Sequence, residues 1–171
     1  MKRTILAMTT VASLFSGAAF AVDGTINFTG KITDDTCDID AGSATQNINM
    51  GTIGSDAFQG PGTIAGATGF KIVMTNCPAS HSAVSVKFDG APDNGNPDIL
   101  ALSSSPTNAS GVGIQLRDYD RTPISLNTDS KPVPVTGGTA TMNFSAAYIA
   151  TAATVTAGDA DSTVNFTVNY N

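Results

Sequence analysis

Residues 162–171 carry the pattern that most constrains the fold of this chain. Apolar side chains occupy every second position of this segment, at Val164, Phe166, Val168 and Tyr170. A period of two is typical of a β-strand with one buried face. Few domains end on an unprotected core strand, because the neighbour on one side is then left to chance. The pattern therefore predicts a terminal core strand with one side open.

The rest of the composition also favours strands over helices. All 14 acidic residues are Asp, the chain has 17 Gly, and Thr, Ser and Asn are abundant. Such residues disfavour helices and suit short strands joined by tight turns. We expect a Gly-rich loop over residues 55–69, and we expect Pro132 and Pro134 at a sheet edge or outside a sheet. The predicted strands cover residues 25–32, 47–53, 70–74, 84–88, 99–102, 112–116, 124–126, 142–148 and 162–171. This spacing predicts an all-β sandwich.

The first 21 residues are predicted to be a signal peptide rather than part of the fold. Lys2 and Arg3 form a basic start, residues 5–15 are apolar but too short to span a bilayer, and residues 19–21 form an A-x-A cleavage site. We therefore expect an exported protein whose mature chain begins at Val22. No later segment is long and apolar enough to predict membrane insertion.

The charge of the mature chain excludes some partners. The whole chain has 8 basic and 14 acidic residues, and the predicted signal peptide holds two basic residues and no acidic ones, so the mature net charge is −8. Such an acidic protein is repelled by nucleic acid and by anionic membrane surfaces. We expect it to bind neither.

The two cysteines, Cys37 and Cys77, are predicted to form a disulfide, because the chain is expected to enter an oxidising compartment. Closing a loop of this length stabilises the fold by about 4 kcal/mol in the loop-entropy account. An alternative is a zinc site that joins both cysteines to His81, the only histidine, and an Asp.

The sequence offers no convincing catalytic or cofactor site. A Ca²⁺ site is conceivable in the acidic residues 34–40, but a solvated strand edge explains them better, since the glycine and final Glu of an EF-hand loop are missing. A Ser-His-Asp triad or a carboxylate pair could be assembled only by free choice of partners. We predict that the protein is not an enzyme and needs no cofactor.

Three features in order along the chain resemble those of chaperone–usher fimbrial pilin subunits, such as type 1 and P pilus pilins. The first is the alternating run that ends at residues 28–32, and the second is the cysteine pair, with Cys77 followed by Pro78. The third is the terminal strand, with Tyr170 penultimate and Gly158 fourteenth from the end. Together, behind a signal peptide, they cover essentially the whole mature chain.

The resemblance implies an incomplete immunoglobulin-like β-sandwich that lacks its last strand and is completed by donor-strand complementation. Residues 1–21 would be the signal peptide, 22–34 the N-terminal donor-strand extension and 35–171 the pilin domain. A periplasmic chaperone would first supply the missing strand. At the outer-membrane usher, the extension of a neighbouring pilin subunit would then replace it, building a linear polymer on the cell surface.

The resemblance also assigns roles to individual residues. The donor-strand residues are Ile26, Phe28, Gly30 and Ile32. The residues of the chaperone-recognition and groove strand are Gly158, Val164, Phe166, Val168, Tyr170 and Asn171, the last through its carboxylate.

Several functional alternatives remain open from the sequence. Only residues 22–25 precede the alternating run. This leading segment is shorter than in rod subunits and closer in length to that of some adaptor subunits, so rod and adaptor subunit both remain possible. A single-domain fimbrial subunit could itself bind a host receptor. A functionally different alternative is a free-standing periplasmic binding module, which would fold alone without a chaperone.

Overall fold

The structure is a computed structural model that describes residues 26–30, 32 and 35–171. The chain divides into two compact units, Met1–Ile32 and Thr33–Asn171. All regular elements of the described residues lie in the second unit. They are β1 (Asp38–Ile39), α1 (Ala41–Ala44), a 3-10 turn (Ser55–Ala57), β2 (Ile64–Thr75), β3 (Ala83–Gly90), β4 (Val112–Arg117), β5 (Pro123–Ile124), β6 (Val133–Pro134), β7 (Ala140–Ala150) and β8 (Val164–Tyr170).

The strands form two open antiparallel sheets, which confirms the predicted all-β class. One sheet has the order β1-β2-β7-β4-β5 and the other the order β6-β3-β8. Pro134 lies in an edge strand, as expected, where its missing N–H interrupts no ladder. Among the described residues, no helix is long and apolar enough to cross a bilayer.

The core lies between the two sheets and is built from the apolar side of each alternating strand. Ile72 and Met74 of β2, Val86 of β3 and Met142 of β7 are essentially inaccessible to solvent. The rings of Phe88 and Phe144 meet edge to face, with centroids 5.2 Å apart. Such aromatic pairs stabilise a core by about 0.5–1.5 kcal/mol beyond the area they bury.

Three local predictions are wrong. Residues 64–69 belong to β2 rather than to a loop, because a bulge between Ala65 and Thr68 absorbs Gly66, whose φ is +64°. Residues 47–53 form no strand. Residues 99–102 form no strand either, although Leu100 makes single bridges to Pro92 and Ile114.

Candidate functional site: an open groove beside the last strand

One edge of β8 is open. This strand pairs along its whole length with β3, from Val84 opposite Tyr170 to Gly90 opposite Val164. It stands at the end of its sheet and has no second strand neighbour among the described residues. Unpaired N–H and C=O groups along a strand edge are a template for another strand.

The apolar face of β8 is less buried than the face of the strand beside it. Val84, Val86 and Phe88 of β3 are at most 1% exposed, whereas their register partners on β8 are only half-buried. Those partners are Tyr170, Val168 and Phe166. The difference arises because β8 stands at the edge of its sheet, whereas β3 lies between two strands.

The groove has a volume of about 920 Å³. Val164 and Phe166 line it from β8, and residues 43–51 form the opposite wall. Its floor belongs to both sheets and includes Phe70, Ile72, Phe88, Ile114 and Leu116. The groove therefore runs along the open edge of β8 and reaches core side chains such as Ile72 and Phe88, which are themselves almost inaccessible to solvent.

The opposite wall is attached to β2 largely by side chains. Ser43 Oγ accepts a hydrogen bond from the Val73 N–H at 2.9 Å, and Gln46 Nε2 donates to the Lys71 carbonyl at 3.0 Å. These bonds satisfy the edge of β2 where a strand ladder would otherwise continue. This wall therefore needs no strand, which explains why residues 47–53 lack the predicted one.

Two of the predicted groove-strand residues line the cavity, and the others lie beyond it. Val168 and Tyr170 pack against the core without lining the cavity. Asn171 is held by its main chain: its N–H donates to the Ala83 carbonyl at 2.9 Å, and its carbonyl accepts from the Ser82 N–H at 3.0 Å.

Gly158 lies before β8 and lines a second cavity of about 320 Å³ rather than the groove. A Cβ atom at Gly158 would lie 2.3 Å from the Ala109 nitrogen and 2.5 Å from the Thr107 oxygen. The Asp159 N–H donates to the Thr107 carbonyl, and the Ala109 N–H donates to the Asp159 carbonyl, both at 2.9 Å. Gly158 is thus required for close backbone approach between two loops.

Tyr148 lines both cavities. Its hydroxyl donates to the Ala160 carbonyl at 3.1 Å. Burial raises the pKa of Tyr148, and the nearby charge of Asp161 adds to the effect. The phenol therefore stays neutral and keeps its proton for this bond.

The predicted donor-strand residues are all exposed. Ile26, Phe28 and Ile32 are 80%, 92% and 99% exposed, and no atom lies within 4 Å of where a Gly30 Cβ would stand. Residues 26–30 and 32 form no strand, and the rest of the predicted donor segment lies outside the described residues, as does the predicted signal peptide.

Cys37 and Cys77 form the expected disulfide, and both are buried. The zinc interpretation is wrong, because the disulfide uses both sulfur atoms. His81 instead contacts the Asp35 carbonyl. Within the described part of the chain, no group of three or more His, Cys, Asp or Glu side chains could hold a metal ion.

Comparison with known proteins agrees with this geometry. The Fimbrial protein family matches residues 26–171. The chain is 33% identical to the probable major fimbrial subunit LpfA of Escherichia coli O157:H7, over 99% of this chain and 97% of that protein. It is 34% identical to the type-1 fimbrial protein A chain of Escherichia coli K12, over 99% and 98%.

Two solved structures show the same fold. A Burkholderia pseudomallei antigen and type I fimbria protein is 44% identical with a TM-score of 0.62, covering 86% of this chain and 97% of that one. The P pilus rod subunit PapA shares the fold, with 20% identity, a TM-score of 0.65, and coverage of 79% and 99%.

The chain belongs to the fimbrial protein family and is a structural subunit of a chaperone–usher fimbria. It polymerises with other pilin subunits into fimbriae assembled at the cell surface. Its incomplete sandwich is the immunoglobulin-like fold that the resemblance to pilin subunits implies. Because the chain belongs to this family, we no longer consider the alternative of a free-standing periplasmic binding module.

Proposed function

We propose that this subunit polymerises by donor-strand exchange, with residues 22–34 of one subunit filling the groove of a neighbouring pilin subunit. The observation that carries the proposal is the open edge of β8 beside an apolar groove, in a chain whose Ile26, Phe28 and Ile32 are also exposed. The edge of β8 has no second strand paired to it, and the exposed segment has the alternation of a strand but is not paired into a sheet among the described residues.

The energy available from this exchange is large. If Ile26, Phe28 and Ile32 each transfer an exposed side chain into the groove, each contributes about 1.5–3 kcal/mol, or roughly 5–9 kcal/mol together. Main-chain hydrogen bonds to β8 add to this. Gly30 would occupy a point where the groove is too shallow for a side chain.

A periplasmic chaperone would protect the groove before assembly by lending a strand of its own. Val164, Phe166, Val168 and Tyr170 would pack against that strand, with the Asn171 carboxylate as a further anchor. Gly158 would act indirectly, because it fixes the loop from which β8 begins. The chain would reach the chaperone through its signal peptide, residues 1–21, and be assembled at an outer-membrane usher.

Relatives support a place in the fimbrial rod. Among them are a probable major fimbrial subunit and the A chain of type-1 fimbriae. We therefore propose a rod subunit rather than an adaptor.

A peptide of residues 22–34 tests the exchange directly. Added to the full-length protein, it should raise the unfolding temperature and stop the growth of multimers, because it occupies the groove. A matched peptide carrying Gly30→Leu should do neither. Equal effects of the two peptides, or no effect of either, would contradict the proposal.

A further inference from the structure

We propose that His81 is a positioning residue that fixes the point at which the donor segment leaves the sandwich. The proposal rests on the proposed donor-strand exchange and assigns a role in it to a side chain outside both the donor segment and the groove. His81 lies in the turn between β2 and β3.

His81 bridges two parts of the second unit that are far apart in sequence. Its Nε2 lies 2.8 Å from the carbonyl oxygen of Asp35. Since a carbonyl only accepts, Nε2 must carry the proton and donate it. The His81 ring also lies against the ring of Tyr170, with centroids 4.7 Å apart and planes tilted by 36°.

The two contacts join Asp35, which we call the root of the donor segment, to Tyr170 at the end of β8. Asp35 lies at the start of the described part of the sandwich unit, two residues before the disulfide-bonded Cys37. Tyr170 is the last residue of β8. The imidazole thus connects the residue that follows the proposed donor segment with the strand against which a subunit would receive one.

Other contacts hold the residues that follow Asp35. The disulfide fixes Cys37, and Asn76 Nδ2 donates to Asp38 Oδ2 at 2.9 Å. Asp38 and Ile39 then pair with β2. Among these attachments, the bond from His81 acts closest to the donor segment. We therefore expect its loss to affect the donor segment more than the sandwich, which the other attachments hold.

The turn that carries His81 is itself fixed. The His81 N–H donates to the Pro78 carbonyl at 3.1 Å, and the next residue, Ser82, donates its N–H to the Asn171 carbonyl at 3.0 Å. A side chain on so well fixed a turn can hold Asp35 in one place. Holding a segment near its productive geometry lowers the entropy lost when it docks.

The role predicts a difference between donating and accepting. Loss of the His81 bond should slow insertion of the variant's own donor segment into another groove by about fivefold, the factor expected for one hydrogen bond. The variant's own groove, whose lining does not include His81, should accept a segment at the normal rate.

The experiment uses full-length chains of distinguishable mass and counts mixed pairs by native mass spectrometry. To measure donation, the His81→Phe variant is mixed with the Gly30→Leu variant, which should accept a donor segment but not donate its own. To measure acceptance, a double variant that carries both His81→Phe and Gly30→Leu is mixed with wild type, so that only the wild-type chain can donate. Phenylalanine retains a ring against Tyr170 but cannot bond Asp35. His81→Gln, which restores a donor without a ring, should recover part of the donation rate.

The expected result is slow donation by His81→Phe, normal acceptance and partial rescue by His81→Gln. Equal losses in both roles would show a merely structural residue and overturn the proposal, as would unchanged donation. If wild type fails to donate to Gly30→Leu at all, the proposed exchange itself is wrong. The wild-type pair thus separates the two failures.

Discussion

Phe88 and Phe166 face each other across β3 and β8, yet their environments differ. They are register partners and both line the groove, but Phe88 is 1% exposed while Phe166 is only half-buried. The ring of Phe88 is fully packed in the core, whereas the ring of Phe166 lies on the edge strand and is only partly covered.

Alanine substitutions should separate these two roles. Phe88→Ala should lower the free energy of unfolding by about 3–5 kcal/mol, the usual cost of removing a buried ring. Phe166→Ala should cost roughly half as much, since its ring is only partly removed from water. Urea unfolding of the full chain measures both values.

Filling the groove should change this comparison. With the 22–34 peptide bound, the cost of Phe166→Ala should rise while that of Phe88→Ala stays constant. Equal costs for the two variants without peptide would mean that the groove is not open.

The disulfide should contribute substantially to stability. Cys37→Ser or Cys77→Ser should each lower the free energy of unfolding by about 2–5 kcal/mol, because the unfolded chain regains the freedom of the closed loop. The double variant should be no less stable than either single one, since one bond is lost in every case. Two titratable thiols in the native protein would refute the bridge.

Gly158→Ala should destabilise the loop before β8. The added methyl would meet the backbone of residues 107–109 at 2.3–2.5 Å, and relieving such overpacking costs about 1–3 kcal/mol. Gly69→Ala is a matched control, because its nearest contact would be the Phe144 oxygen at an ordinary 3.8 Å. A thermal unfolding shift of the same size in both variants would argue against the close-approach role.

An exposed ion pair should make a small, pH-dependent contribution. Hydrogen bonds from Lys131 and then Thr122 lower the pKa of Asp120 from 3.8 to about 2. A lowered pKa stabilises the fold above 3.8, and this contribution disappears as the pH falls through about 2. The urea midpoints of wild type and Asp120→Asn should therefore differ slightly near neutral pH and converge near pH 2. A gap that widens in acid would contradict this assignment.

The features that the sequence predicts well are those with a local physical signature. The strands around Phe70, Val86, Ile114 and Phe144 follow from apolar alternation, and the last strand follows from the same period of two. The presence of two cysteines in a chain expected to be exported is likewise sufficient to predict the disulfide.

The features that the sequence does not reveal depend on contacts between distant residues. Residues 47–53 alternate like a strand, but Ser43 and Gln46 satisfy the edge of β2 with side chains instead. Gly158 is recognisable as part of a family pattern, yet its packing against residues 107–109 is not. Nothing local to His81 indicates that it contacts Asp35 and Tyr170.

The last prediction concerns the two faces of the donor segment. Phe28→Ala should weaken docking onto a neighbouring subunit by about 1.5–3 kcal/mol, because the exposed ring is the largest side chain that the segment can bury. Gly30→Leu should block docking by steric clash. Asn27→Ala and Thr29→Ala are matched controls, since these residues alternate with the apolar positions and should face away from the groove.

None of these four changes should prevent capture of the subunit by the proposed chaperone, because the substituted residues, 27–30, are all exposed. Purified chaperone complexes mixed with a preceding subunit measure capture and extension separately. If residues 22–34 were instead an ordinary strand of the same domain, Phe28→Ala would destabilise the subunit and reduce capture itself. Variants that are captured normally yet fail to extend support donation, and variants that never reach the chaperone refute it.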